Sequence, residues 1–147
     1  MSGPTKILLP GRLRELRDPV SELWSRDGSR TVLSLPSVAV VGTRAPTPYG
    51  VNIAQSWSYE LARAGLVVVS GLGRGIDAAA HRGAVQAGGG TVAVLGCGVD
   101  RDYPSAHAVL AAEILAAGGA VVSEYGPGVP PAPWRFPARA RIIAGLS

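Results

Sequence analysis

The amino-acid sequence predicts an α/β fold in which a mostly parallel sheet lies between two layers of helices. Short runs rich in Val and Ala alternate with stretches of about a dozen residues that suit helices, which is typical of strand–helix–strand units. The apolar residues are mainly Ala, Val and Leu, with one Phe, three Trp and four Tyr, which favours helices on a parallel sheet over an aromatic-rich β-sandwich. At 147 residues the chain is expected to form one domain with its own core.

Four strands and the helices between them can be placed in order along the chain. Strands are predicted at residues 38–41, 66–70, 91–95 and 120–123, and helices at residues 48–64, 76–87, 105–117 and, less distinctly, 139–146. Residues 38–41 lack an alternating pattern, so we expect that strand to be covered on both faces. Thr47 followed by Pro48 is a helix-start pattern, and Gly65 suits a helix end.

These units correspond to slightly more than one half of a Rossmann-like fold, and the connections between their strands are expected to be right-handed. In such sheets the loops that follow the strands gather at one edge, and ligands bind where the strand order reverses. If the order were 3-2-1-4, Arg44 and the loop after Ser123 would face each other across that crevice. Thr43, Arg44 and the amides around them would lie between a strand end and a helix start, a place suited to an anion.

Residues 1–37 have no such rhythm, because charged residues are scattered through them. They could form a short helix, a turn at Asp18 and Pro19, and a short extended piece against the rest of the chain. We therefore divide the chain into a lead-in segment, 1–37, that packs on the core, and a Rossmann-like core, 38–147. A partly ordered arm without a function of its own is the simpler interpretation of the segment.

Composition and charge narrow the classes of function. Of the 14 basic residues, 13 are Arg and one is Lys6. With 10 acidic residues, the net charge is +4, which permits a polyanionic partner without requiring one. From Tyr125 to the end there are three Arg and no acid.

Cys97 is the single cysteine, which excludes an internal disulfide and fits a reducing compartment. Neither a signal-peptide pattern nor a membrane-spanning run is found, so we expect a cytoplasmic location.

A glycine-rich loop and three arginines indicate an anion site. Gly71, Gly73 and Gly75 follow a strand and open a helix, the setting in which backbone amides cradle a phosphate. Their G-x-G-x-G spacing differs from the dinucleotide G-x-G-x-x-G, and no P-loop motif occurs, so neither NAD nor nucleotide hydrolysis is expected. Arg44, Arg74 and Arg101 follow successive strands and together would make a positive rim able to follow a chain of phosphates.

Candidate catalytic residues are few. Asp77 and His81 stand four residues apart on a helix, so together they could act as a general base. The favoured interpretation is structural: Asp77 caps the start of its helix, and His81 is a packed, hydrogen-bonded ring. Cys97 is interpreted as a small packed thiol. With no G-x-S-x-G elbow and no zinc spacing, no catalysis, cofactor or metal is expected.

The proline-rich loop before the last helix leaves two alternatives open. Trp134 and Phe136 are interleaved with Arg135, Arg139 and Arg141, a combination of stacking surfaces and cations that suits single-stranded nucleic acid. The alternative is that the aromatic rings pin the loop to the domain.

Five motifs occur in order along the chain: VVGTRAPTPYG, VVSGLGRGIDAAAHRGAV, VAVLGCGVDRDYP, SEYGPG and FPARARIIAGLS. In their order and spacing they closely resemble the bacterial DNA-processing protein A family, also known as DprA or Smf. The resemblance implies an extended Rossmann-like domain that binds single-stranded DNA, forms a homodimer and hands the strand to the RecA recombinase during natural transformation. It implies no catalysis and no cofactor.

The residues expected to contact DNA combine the loops identified above with the positions that match the family's motifs. They are Gly42, Thr43, Arg44, Gly71, Gly73, Arg74, Gly75, Gly96, Gly98, Arg101, Arg139 and Arg141.

The chain departs from the family's pattern in three ways. Ala140 stands where Asn is usual, and Ser105-Ala106-His107 lacks a lysine that can contact DNA and has His in place of Asn. The chain also stops at Ser147, where family members continue the same domain. A core that is incomplete at its C-terminus would leave apolar strand edges uncovered and favour self-association.

Two other functions remain as alternatives. One is a small nucleotide-binding or phosphoribohydrolase-like module, although the P-G-G-x-G-T-x-x-E motif of those enzymes is missing. The other is a short form that only dimerises with, or regulates, a longer relative.

Overall fold

A computed structural model describes residues 3–147 and shows a six-stranded sheet in the order β1-β2-β6-β5-β4-β3. The strands are β1 (Thr5–Ile7), β2 (Leu23–Ser25), β3 (Ser37–Ala39), β4 (Val67–Ser70), β5 (Thr91–Val94) and β6 (Ala120–Ser123). The helices are α1 (Gly11–Arg14), α2 (Pro48–Arg63), α3 (Ile76–Gln86), α4 (Ala108–Ala116) and α5 (Arg135–Leu146), with 3-10 turns at Thr31–Ser34 and Ser105–His107. The predicted α/β class and the mostly parallel sheet are confirmed.

The four parallel strands, β3 to β6, lie side by side in chain order. The order considered from the sequence, 3-2-1-4, does not occur, so Arg44 and the loop after Ser123 lie at opposite ends of the parallel part instead of facing each other. Right-handed connections between successive neighbours place their helices on the same face of the sheet. Accordingly α3 packs between α2 and α4 on that face.

Helices cover both faces of the sheet, as predicted, because α5 and the lead-in segment cover the other one. There the apolar side chains of the central strands meet Ile142, Ile143 and Leu146 of α5. Side chains from the lead-in segment, among them Leu13 and Leu23, complete the same cluster.

The expectation that the first core strand is covered on both faces is wrong. β3 is the edge strand of the sheet, its residues are half-buried, and Val41 beyond it is 57% exposed. Sequential strand order leaves this strand with β4 as its neighbour on one side. On the other side, the N–H and C=O groups of alternate residues point away from the sheet.

The short helix and the extended piece considered for the lead-in segment occur as α1 and β2, but the sequence did not indicate that the segment joins the sheet. β1 pairs antiparallel with β2, and β2 pairs antiparallel with β6, where Trp24 lies opposite Ser123. Leu13 and Val20 are buried in the core cluster. From residue 3 onward the segment is therefore part of the sheet and core; residues 1 and 2 of the predicted segment lie outside the described range.

Helix ends follow the local signals. The Thr47 hydroxyl accepts a hydrogen bond from the Gly50 amide (3.1 Å), and Gly65 after α2 has φ +91°. α5 begins at Arg135, four residues earlier than predicted, because Pro137 falls in its first turn, where a missing N–H costs nothing. Among the described residues, no helix is long and apolar enough to cross a membrane.

Candidate functional site

The loops that follow β3, β4, β5 and β6 meet at the carboxyl edge of the sheet, which we term the loop edge (residues 40–47, 71–75, 95–104 and 124–134). Neighbouring loops touch. A Cβ added to Gly75 would lie 2.5 Å from the Thr43 carbonyl oxygen, and one added to Gly98 would lie 2.7 Å from the Gly126 carbonyl oxygen. Glycine is needed at both positions because the backbones approach so closely.

The loop after β3 is tied to the start of α3. The Thr43 carbonyl accepts a hydrogen bond from the Ile76 amide (3.2 Å), and the Thr43 hydroxyl accepts one from the Ala45 amide (3.1 Å). Gly75, which precedes α3, has φ +79°. These bonds place Arg44 beside the N-terminus of α3, the positive end of an eleven-residue helix, and its side chain is exposed.

The loop after β4 is held through Leu72, a non-glycine residue with φ +59°. Its N–H donates to His81 Nε2 (3.1 Å), and its carbonyl accepts from His107 Nδ1 (2.9 Å). The other nitrogen of His81 meets the Thr91 hydroxyl (2.9 Å), which donates to the carbonyl of Val68. Two histidines from different elements therefore fix one backbone unit in the left-handed region.

His81 is a neutral structural ring. Because its Nε2 accepts the Leu72 amide, its proton is on Nδ1 and donates to Thr91. Complete burial, aided by the charge of Arg139, lowers the pKa of His81 to about 3. Within residues 3–147, no hydrogen bond joins it to Asp77, and Asp77 does not cap α3. The packed-ring interpretation is confirmed, and the capping interpretation is wrong.

Arg139 reaches from α5 beneath the loop after β4. Its Nη1 donates to the carbonyls of Gly71 (2.5 Å) and Val94 (3.2 Å), and its Nη2 lies 3.9 Å from Asp77 Oδ2. The two side chains are 15% and 10% exposed, and burial lowers the pKa of Arg139. Asp77 Oδ1 has no hydrogen-bond partner among the described residues. Arg139 thus supports the loop from the inside.

Arg141 is engaged in a similar way. Its guanidinium makes two parallel bonds to the Glu124 carboxylate, both 2.8 Å, and its Nε lies 3.3 Å from Asp18 Oδ2. The hydrogen bond to Glu124, together with the charges of Glu124 and Asp18, raises the pKa of Arg141. The pair joins α5 to the end of β6 and to the lead-in segment.

Three predicted glycines lie beneath other residues instead of facing solvent. A Cβ at Gly71 would meet the Arg139 guanidinium at 2.7 Å, and one at Gly96 would meet the Phe136 ring at 2.7 Å. The Gly98 amide donates to the carbonyl of Val129 (2.7 Å). These glycines allow close packing of the loops.

The remaining predicted residues lie together on the outside of the first two loops. Arg44 and Arg74 are exposed, and neither guanidinium has a hydrogen bond or ion pair within residues 3–147. Over the same range, the backbone amides of these loops that donate no hydrogen bond include those of Gly42, Thr43, Arg44, Gly73, Arg74 and Gly75. The arrangement combines two cations, several N–H donors and a helix N-terminus, so it suits an anion with several oxygens.

Arg26 is a site residue that the sequence did not reveal. Directly after β2, it donates to the carbonyls of Val99 (2.8 Å) and Arg101 (2.9 Å) and to the Asp102 carboxylate (2.8 Å). It therefore shapes the loop that carries the exposed Arg101. Because Arg26 is more than 70 residues away along the chain, no local pattern could have linked it to this loop.

Groups suited to catalysis or metal binding are scarce among the described residues. Cys97 is buried, and burial raises the pKa of its thiol, which opposes thiolate formation. Within residues 3–147, no group of three or more His, Cys, Asp or Glu side chains could hold a metal ion.

A mostly parallel sheet with helices on both faces is the arrangement of a Rossmann-like domain, and its loop edge presents amides and arginines. Comparison with known proteins gives the family. The model of DNA recombination-mediator protein A matches residues 5–147, and the chain belongs to that family.

Relatives and solved structures agree with this assignment. The chain is 46% identical to Protein Smf of Escherichia coli over 82% of its own length and 32% of that protein, and 44% identical to the DNA processing protein DprA of Streptococcus pneumoniae over 93% and 48%. The structure of DNA processing protein A from Helicobacter pylori, described for its single-stranded DNA binding mode, superimposes with a TM-score of 0.89 at 32% identity, covering 99% of this chain and 66% of that one. The chain spans less than half the length of these two curated relatives.

Proposed function

We propose that the chain binds single-stranded DNA at the loop edge, mainly through the phosphates. The observation that carries this proposal is the cluster of unbonded amides and exposed guanidinium groups in the loops after β3 and β4. Phosphate oxygens are the ligands that such donors prefer. The single-stranded DNA binding described for the Helicobacter pylori relative supports the choice of polyanion.

Within this proposal the predicted residues divide by role. Arg44, Arg74 and Arg101, with the amides of Gly42, Thr43, Gly73 and Gly75, contact phosphates. Gly71, Gly96, Gly98, Arg139 and Arg141 hold the loops in place, because their polar groups are covered or already bonded. Arg101 extends the positive rim past the loop after β4, toward the loop after β6.

The site is proposed to bind without catalysing a reaction. His81 has both ring nitrogens engaged, and burial holds its pKa far below neutrality, so it does not supply a general base. Cys97 is a buried thiol with a raised pKa. The proposal extends, from the family, to delivery of the strand to RecA in the cytoplasm during natural transformation.

A homodimer is also proposed, and the free edge of β3 supports it. Residues 31–43 include no charged side chain, so this edge lacks the charges that usually prevent strand pairing. The Val67 and Val40 amides bond across to the carbonyls of Pro36 and Val69, so the N–H and C=O of Ala39, which alternate with these, point outward. A second copy can pair antiparallel about Ala39. Ala39→Pro, which removes that outward N–H, should lower the mass measured by light scattering toward that of a monomer.

Fluorescence anisotropy with labelled oligonucleotides tests the binding proposal. We expect single-stranded DNA to bind more tightly than duplex, and the logarithm of affinity to fall with the logarithm of salt concentration with a slope of about −0.7 for each phosphate neutralised. Arg44→Ala should weaken binding to all sequences and flatten the slope. Arg63→Ala, which removes the same charge from the far end of α2, is the matched control.

Two results would overturn the proposal. One is binding that does not respond to salt, and the other is equal affinity for Arg44→Ala and Arg63→Ala. Release of ribose 5-phosphate from AMP would favour the phosphoribohydrolase-like alternative instead.

A further inference from the structure

Trp134 is a large aromatic side chain left in solvent at the loop edge. It ends the loop after β6, directly before α5, and is 69% exposed. An exposed aromatic ring offers a large flat surface to a ligand, although single exposed apolar side chains are common on protein surfaces. Exposure alone is not enough to define a site, however, because Trp57 on α2 is 64% exposed as well.

A stacked arginine distinguishes Trp134 from Trp57. The guanidinium carbon of Arg135 lies 5.4 Å from the centroid of the Trp134 ring and 5.2 Å from that of Tyr125. Its Nη1 donates to the carbonyl of Pro130 (2.8 Å), which fixes the group in place. One side of the indole is therefore occupied by a held cation, and the high exposure leaves the other side open.

Phe136, two residues on, has a different environment. Its ring lies against Gly96 and packs on Tyr103, with centroids 5.4 Å apart, and the guanidinium of Arg139 lies 5.3 Å from its centroid. Phe136 pins the start of α5 to the loop after β5. Of the two aromatic residues in this part of the chain, Trp134 is the one with a face available to a ligand.

We infer that the open face of Trp134 stacks on an unpaired nucleobase of the strand whose phosphates bind the loop edge; this inference rests on the proposed function. Every base has a flat π-face, and in a single strand that face can be offered to an aromatic ring, whereas a duplex buries it between neighbouring base pairs. Trp134 thereby adds a preference for single strands that phosphate contacts alone do not supply. Arg135, beneath the ring, adds positive charge close to the adjoining phosphate.

The test compares two exposed tryptophans and two oligonucleotides. Affinities of wild type, Trp134→Ala, Trp134→Phe and Trp57→Ala are measured for an oligothymidine and for an abasic strand of the same length, which keeps the phosphates and lacks the bases. We expect Trp134→Ala to weaken oligothymidine binding roughly 5- to 150-fold, the range found for loss of one stacked base. Trp134→Phe should lose less, and Trp57→Ala should bind as wild type does.

The abasic strand shows whether the lost contact is to a base. It should bind wild type and Trp134→Ala equally, and the salt slope should be the same for both proteins. A loss that persists with the abasic strand, or equal affinities of Trp134→Ala and Trp57→Ala for oligothymidine, would overturn the inference and leave phosphate binding intact. If the wild-type protein bound neither strand, both the proposed function and this inference would be wrong.

Tryptophan fluorescence gives a second measurement that needs no alanine variant. Adding oligothymidine should quench the emission of wild type and of Trp57→Phe, because a base stacks on Trp134. The quenching should be lost in Trp134→Phe. Quenching that disappears instead in Trp57→Phe would contradict the assignment.

Discussion

Two groups of arginines near the carboxyl edge of the sheet differ in what their guanidinium groups bind. Arg44, Arg74 and Arg101 extend into solvent, and none has a side-chain acceptor within residues 3–147. Arg139 and Arg141 are mostly covered and donate to carbonyls and carboxylates of the chain. The first group is available to a ligand, and the second has used its donors to hold the loops.

The difference shows that an arginine in a binding motif is not necessarily a ligand contact. A covered guanidinium would have to break its internal bonds before it could bind a phosphate, and would leave buried acceptors unpaired. Substituting the covered arginines should therefore change stability first, and substituting the exposed ones should change affinity alone.

Among the substitutions, the largest effect on stability is expected from Arg139→Met, which removes the covered cation and keeps much of its volume. The buried Asp77 carboxylate would lose its neighbouring charge, and the carbonyls of Gly71 and Val94 would lose a donor. We expect the free energy of unfolding in urea to fall by about 3 kcal/mol. Adding Asp77→Asn should restore part of that loss.

Arg63→Met provides the control for Arg139→Met, since Arg63 is exposed at the end of α2 and its change should alter stability little. Equal stabilities of the two variants would show that Arg139 does not support the loop edge.

The next effect is a dependence of stability on pH that comes from His81. The folded protein keeps His81 neutral down to a pKa of about 3, whereas the unfolded chain protonates it near 6.5. Between these values the unfolded state binds more protons, so stability is complete above the upper value and falls as pH decreases, by about 1.4 kcal/mol per pH unit. Urea titrations across this range should show the slope, and His81→Gln should flatten it.

The same titrations separate the two groups of arginines. The charge of Arg139 helps to lower the pKa of His81, after the larger effect of burial. Arg139→Met should therefore raise the pKa of His81 and narrow the pH range over which stability is lost. Arg44→Ala should leave both the pKa of His81 and this pH range unchanged. An identical pH profile for Arg139→Met and wild type would contradict the placement of Arg139 near this ring.

Local signals were sufficient for most of the helices and strands of the core. β6 has the predicted bounds, β4 and β5 differ by one residue, and α2 starts at the predicted Pro48, because capping residues, glycines and runs of Val act over a few residues. Strand order was not predictable in this way. It depends on pairing between residues far apart in the chain, such as Trp24 with Ser123.

The local geometry of the candidate site was predictable to the same extent as the strands and helices. The anion-suited turn around Arg44 could be located from a strand, a glycine and a helix start, all within a dozen residues. The burial of Arg139 could not, because it depends on where α5 crosses the loop after β4. Arg26 was missed for the same reason, since its acceptors belong to a loop more than 70 residues away.

A smaller effect, on affinity alone, is expected from the exposed arginines. Arg44→Ala and Arg74→Ala should each weaken binding of single-stranded DNA roughly fivefold, about 1 kcal/mol, and reduce the salt slope by about 0.7. Their stabilities in urea should stay within about 0.5 kcal/mol of wild type. If either variant lost stability as Arg139→Met does, the division into two groups of arginines would be incorrect.

The smallest effect on affinity is expected from Arg26→Met, which removes the side chain that shapes the loop carrying Arg101. Because this guanidinium is also covered and internally bonded, stability in urea should fall as well. Affinity for single-stranded DNA should fall roughly two- to threefold, well under 1 kcal/mol, because Arg101 would be less well positioned. Since Arg26 acts through Arg101, adding Arg101→Ala to Arg26→Met should cause no further loss in anisotropy measurements. A fully additive loss would mean that Arg26 acts by another route.

The most direct test of the loop edge as the DNA site is a nitrogen–proton correlation spectrum of labelled protein, recorded while unlabelled single-stranded DNA is added. The amide signals of Gly42, Thr43, Gly73 and Gly75 should shift most, because these N–H groups would donate to phosphates. The signals of Gly65, Gly88 and Gly118, which follow helices at the opposite edge of the sheet, should not move. Shifts concentrated at those three glycines, with the loop edge unchanged, would contradict the account.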